Sequence, residues 1–97
     1  MTATGSEHEA EAIADALVNA GLAACVQRSP IVSHYRWQGQ ATRSEEILLL
    51  IKTTAERVPE VMASINSHHS YDTPEILELP ISSGWPAYLA WIDQSVS

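Results

Sequence analysis

The sequence predicts an α+β domain: an antiparallel sheet covered on one side by two helices, with one more helix at the end of the chain. Three observations predict it. Apolar residues recur at helical spacing in two separate stretches, first Ala10, Ile13, Ala14, Leu17 and Val18, then Val58, Val61, Met62 and Ile65. Between these stretches, two long runs rich in strand-forming residues flank a Gln38-Gly39 pair, the mark of a tight hairpin. A third strand-like run after the second helix gives the chain its alternating order.

Residues 1–5 form a short stub in which Thr2 and Thr4 suit a strand. Ser6 and Glu9 are spaced as a capping box, in which the Ser6 oxygen accepts from the Glu9 amide and Glu9 reaches back to the cap. Glu7, Glu9 and Glu11 lie where the helix dipole favours negative charge. The helix is expected over residues 6–20, and Gly21 is placed to stop it in the left-handed conformation.

Residues 22–26 begin a strand and residues 31–37 continue or resume it. Pro30 lies between them; it cannot donate to a sheet ladder, so it implies an edge strand or a bulge. Ser33, Tyr35 and Trp37 share one face of this strand, His34 and Arg36 the other. The returning strand, about residues 42–53, is apolar on both faces from Ile47 to Ile51, so both faces are expected to be covered.

Pro59 suits the first turn of the second helix, which ends within residues 66–70. Pro74 then precedes a strand over residues 75–81, weakened near Pro80 or placed at an edge. Ser82-Ser83-Gly84 turns the chain into a final helix near Pro86. There Tyr88, Leu89 and Ile92 share a face, with Trp91 close enough to be partly covered.

The first six elements spell β-α-β-β-α-β, a ferredoxin-like arrangement with helices on one side of the sheet and an extra C-terminal helix. The last helix is too small to cover the remaining sheet face, so another copy of the chain is expected there. Its 97 residues read as one domain spanning 1–97, with the first strand shortened. A domain this small buries only about 60–65% of its unfolded surface, and assembly adds to that.

Composition excludes several functions. A net charge of −7 with only five Lys and Arg argues against nucleic acid and against an anionic membrane surface. Cys25 is the one cysteine, which rules out an internal disulfide and fits a reducing compartment; a cytoplasmic location is expected. Residues 1–5 carry no apolar run of a signal peptide, and the apolar run 47–51 is far shorter than a membrane span.

Five blocks carry a resemblance: Leu22-Ala23-Ala24-Cys25-Val26, Tyr35-Arg36-Trp37-Gln38-Gly39, Ile51-Lys52-Thr53-Thr54, Tyr71-Asp72-Thr73-Pro74-Glu75-Ile76 and Tyr88-Leu89-Ala90-Trp91-Ile92. In this order they resemble the CutA divalent-cation tolerance family over nearly the whole chain. The resemblance implies a homotrimer assembled through its sheets, no organic cofactor, and a non-enzymatic role in tolerance of divalent metals, Cu(II) among them. It also implies a cleft between subunits near Tyr35, Trp37, Lys52, His69, Tyr71, Glu75 and Trp91. Three features depart from the family pattern. The first strand is short, Ser70 stands where the family's His-Pro-Tyr has its proline, and His34 stands where relatives carry an apolar residue.

His69 is the sharpest candidate metal ligand, because imidazole binds copper and zinc well and Tyr71, Asp72 and Glu75 lie close by in sequence. Glu75 is the second candidate. Each has a structural alternative: a hydrogen bond at the subunit interface for His69, an ion pair with Lys52 for Glu75. Cys25, between Ala24 and Val26, reads as a buried, inert thiol, and His8 in its acidic helix turn as solvent-exposed. No nucleophile-base pair, phosphate loop or structural-zinc spacing is present, which disfavours an enzyme. The alternative to metal binding is a trimeric signalling or scaffold module whose cleft takes a small molecule or a partner's tail, as its aromatic lining suggests.

Overall fold

The computed structural model describes residues 1–97. Its elements are β1 (Thr2–Thr4), α1 (Glu7–Asn19), β2 (Cys25–Trp37), β3 (Gln40–Lys52), α2 (Val58–His68) and α3 (Pro86–Ser95), with a 3-10 turn (Ala55–Arg57) leading into α2.

Helix α1 starts as its sequence dictates. Ser6 is extended, and its Oγ accepts from the Glu9 amide at 3.2 Å. The second half of the capping box is absent. Glu9 Oε1 instead accepts from the Ser70 amide at 3.1 Å, a tertiary partner that outcompetes the local one. Gly21 ends the segment at φ 71°, the left-handed region open to glycine.

The sheet is antiparallel in the order β1-β3-β2. Strand β2 is one unbroken edge strand in one-to-one register with β3, from Cys25 opposite Lys52 to Trp37 opposite Gln40. Pro30 therefore sits at an edge, opposite Ile47, and no bulge forms. Gln38 and Gly39 both take positive φ, 51° and 79°, as a two-residue hairpin turn of the twist-matched type requires.

Register assigns every side chain to a face. Thr2 and Thr4 lie opposite Leu49 and Ile47. That face meets the helices: Ala10, Ile13 and Leu17 of α1 and Val61 and Ile65 of α2 pack with Ala23, Ile47 and Leu49. Burial of each large aliphatic side chain here contributes about 1.5–3 kcal/mol. The opposite face, with Ile31, Tyr35, Trp37, Leu48 and Leu50, carries neither α1 nor α2. Leu50 is 41% exposed there, so within one chain only one face of β3 is fully covered.

The expected strand over residues 75–81 does not form. The chain makes a single bridge there, Ile76 to Thr2. The Leu77 amide also donates to the Met1 carbonyl at 3.0 Å. The segment thus lies beside β1, where a fourth ferredoxin-like strand belongs, but does not propagate. Pro74 and Pro80 lack amide donors, and Leu79 and Ile81 remain exposed with no surface of their own chain to pack on. In α3 only Ile92 is buried.

Candidate functional site

The β2–β3 hairpin and the loop that follows α2 meet at one end of the sheet. Tyr35 and Trp37 come from β2, Glu46 from β3, and Tyr71, Asp72 and Glu75 from the loop. Together with Ala3, Ser33, His34, Ser70 and Thr73 they line an open cavity of about 770 Å³. Alternation along the strands places Ser33, Tyr35 and Trp37 on the helix-free face, and Glu46 shares it because it pairs with Ile31.

The aromatic groups are tied down. Tyr71 Oη donates to Glu46 Oε2 at 2.9 Å, and Tyr35 Oη lies 2.8 Å from Ser44 Oγ. Burial, then the hydrogen bond to the anionic Glu46, push the Tyr71 phenol up to about 12. Its ring packs against His69, with centroids 4.8 Å apart.

His69 has a completely buried side chain. Its Nε2 is 2.8 Å from the Ala3 carbonyl, which can only accept, so Nε2 carries a proton. Its Nδ1 accepts from the Tyr71 amide at 3.2 Å. The neutral Nε2–H tautomer follows from this network. Glu9 Oε1, 3.4 Å from Nδ1, is then a polar neighbour and not an ion-pair partner. Both ring nitrogens thus hold the post-α2 loop against β1, and a cation reaching His69 must displace the Tyr71 amide from Nδ1. Glu75 is exposed on the cavity rim. No group of three or more His, Cys, Asp or Glu side chains converges as a metal cage.

The expected cleft residues separate into two groups. Tyr35, Trp37, Tyr71 and Glu75 share the cavity, with His69 behind Tyr71. Lys52 and Trp91 lie elsewhere: Lys52 Nζ is 3.5 Å from Tyr88 Oη and 5.6 Å from the Tyr88 ring centre, and Tyr88 stacks on Trp91 at 5.7 Å. Ten residues of β3 separate Lys52 from Thr42, the partner of Tyr35, which is roughly 33 Å of strand. Of the other candidates, Cys25 is half-buried on the helix-free face, and His8 and His34 are exposed. His68 turns back on its own helix, with Nδ1 2.8 Å from the Ser64 carbonyl. Glu46 was not singled out from sequence, and Tyr88 was read only as part of the apolar face of the last helix. Strand parity alone pointed to Glu46, which lies an even number of residues from Ser44 and Lys52 on the same strand.

Fold and site together define a small ferredoxin-like protein with an aromatic, acidic cleft and no catalytic constellation. The family model of the CutA1 divalent ion tolerance protein matches residues 1–95. The chain belongs to this family. It is 44% identical over 91 residues to the divalent-cation tolerance protein CutA of Thermus thermophilus, covering 93% of this chain and 88% of that one. Identity to the CutA protein of Archaeoglobus fulgidus is 41%, over 94% and 89% of the two chains. Among solved structures, the T. thermophilus Cut A1 protein superimposes with a TM-score of 0.94 over 99% of this chain and 94% of that one, at 41% identity. The A. fulgidus protein, described as periplasmic, gives 0.96 at 38% identity and the same coverage.

Proposed function

We propose that this chain acts in divalent-cation tolerance as a non-enzymatic homotrimer, and that its working surface is the cleft between the β2–β3 hairpin and the loop at residues 69–75. The observation that carries this reading is the convergence of side chains from β2, β3 and that loop on one cavity, with two of its three aromatic rings held by hydrogen bonds. Trimer formation is supported by apolar surface left open on a single chain: Leu50 on the helix-free face, Leu77, Leu79 and Ile81 on the segment that fails to pair, and Trp85 at the start of α3. A closed assembly brings the Lys52–Tyr88–Trp91 end of one copy to the Tyr35–Trp37–Tyr71 end of the next. That accounts for one cleft built from two groups far apart within a chain. The lone, unpaired Cys25 supports a reducing, cytoplasmic setting.

Within this reading, Cu(II) or a similar divalent cation binds reversibly at the cleft through Glu75, with His69 recruited at the cost of its bond to the Tyr71 amide. Binding of that kind is weak, and acid weakens it further by protonating the imidazole. The second reading, a cleft that takes a small molecule or a partner's tail, is favoured by the engagement of both His69 nitrogens. Calorimetric titration of metal-free protein with Cu(II) and Zn(II), beside His69→Ala and with light scattering on both, separates the two. Stoichiometric Cu(II) binding lost in an intact mutant trimer supports the metal site. Weak or His69-indifferent binding removes it and leaves the cleft to other ligands.

A further inference from the structure

Resting on the reading that the cleft is the working site, we propose that it binds a small organic cation, an ammonium or guanidinium compound. The first reason is size. The cavity measures about 770 Å³, whereas one water molecule, comparable to a bare ion, occupies about 30 Å³ of liquid. The second is charge. Glu46, Asp72 and Glu75 line the cavity, and no Lys or Arg does. The third is how that charge is arranged. The carboxylates do not converge with a third ligand group into a metal cage, so they suit a cation spread over several atoms better than a point charge.

The aromatic rings make the same distinction. Tyr35, Trp37 and Tyr71 line the cavity, and aromatic faces attract ammonium and guanidinium groups, most strongly when water is excluded. The Tyr71 bond to Glu46 places an oriented carboxylate beside a fixed ring. At the other end of the sheet this molecule already uses the same chemistry internally, with Lys52 over the Tyr88 ring. The cavity rings have no cation of their own chain. If trimer closure brings a neighbouring copy's Lys52 to the rim, three carboxylates still face one ammonium.

The test uses the intact protein and agmatine as probe, followed by calorimetry and Trp fluorescence. The control is 4-guanidinobutyrate, which keeps the guanidinium group but replaces the ammonium with a carboxylate. Saturable agmatine binding at one site per chain is expected, with 4-guanidinobutyrate weaker by about tenfold or more, because like-charge placement in a partly desolvated site is strongly disfavoured. Asp72→Asn with Glu75→Gln is expected to weaken agmatine by a similar factor, and Trp37→Ala to weaken it as well, with light scattering on each variant so that binding is compared only between intact assemblies. All three residues are exposed, so these changes leave the core intact. No saturable binding, equal binding of both probes, or indifference to the acidic and Trp37 variants overturns the proposal. Cu(II) binding that depends on His69, without agmatine binding, removes this inference and leaves the metal reading standing. Agmatine binding in a trimer that ignores Cu(II) does the reverse. If the protein is not trimeric and binds neither, both fail.

Discussion

Two threonines on the same face of the same short strand are expected to respond to valine with opposite sign. Thr2 and Thr4 both point at the helices and both are 0% exposed. Thr4 Oγ1 donates to the Ser6 carbonyl at 3.0 Å, whereas Thr2 Oγ1 has no hydrogen-bond partner. A buried hydroxyl without a partner costs about 1–3 kcal/mol relative to its hydrated state. Valine keeps the branched shape and removes that cost, so Thr2→Val is expected to stabilise the fold by about 1 kcal/mol. Thr4→Val loses a made hydrogen bond, with the Ser6 carbonyl keeping only the Ala10 amide, which is expected to destabilise by about 1 kcal/mol. The two variants therefore differ by about 2 kcal/mol. For a domain of this size each 1 kcal/mol moves Tm by about 4–8 °C. Guanidinium and thermal unfolding at matched protein concentration read the difference, since an oligomer's apparent stability depends on concentration. If Thr2→Val destabilises as much as Thr4→Val, the orphan-hydroxyl argument is refuted.

Two further outcomes follow from local geometry. The folded protein holds the Tyr71 proton to about 12 instead of the ordinary 10, so the stabilisation linked to it is fully present below about pH 10 and is lost as pH rises through 12. Absorbance titration of the phenols should show a late-ionising tyrosine that disappears in Tyr71→Phe; loss of that late phase in any other single Tyr→Phe variant would contradict the assignment. Gly21→Ala should destabilise more than Gly39→Ala. Both glycines have positive φ, but a Cβ at Gly21 runs into the Ser97 side chain and one at Gly39 meets nothing within 4 Å. The hairpin variant thus carries only the backbone penalty of about 1–2 kcal/mol, and chemical denaturation of the pair checks the order.

Features that were legible in the sequence depend on neighbours in the chain. The Ser6 cap, the Gly21 stop and the Gln38-Gly39 turn are set by dihedral limits and hydrogen bonds within a few residues. Helical spacing of apolar residues identified Ile13, Leu17, Val61 and Ile65 as core, because a 3.6-residue period gives a helix one apolar side. Period-two alternation likewise grouped Tyr35 with Trp37 on one face. These elements, in this order, were enough for the fold class and, through the five blocks, for the family.

Tertiary structure decided what depends on partners far away in sequence. Glu9 abandoned the local cap for the Ser70 amide, 61 residues on. The 75–81 segment has strand-like composition, but a strand also needs a ladder and a packed face, and one chain offers it only the bridge from Ile76 to Thr2. His69 reads as a free ligand in sequence; its environment spends one nitrogen on Ala3 and the other on Tyr71. Lys52 and Trp91 stand apart from Tyr35 and Tyr71 because a 13-residue strand is long and rigid. Local sequence sets backbone conformation through short-range sterics. Which side chains meet, and which lone pairs stay free, is settled only when elements distant in the chain compete for the same contacts.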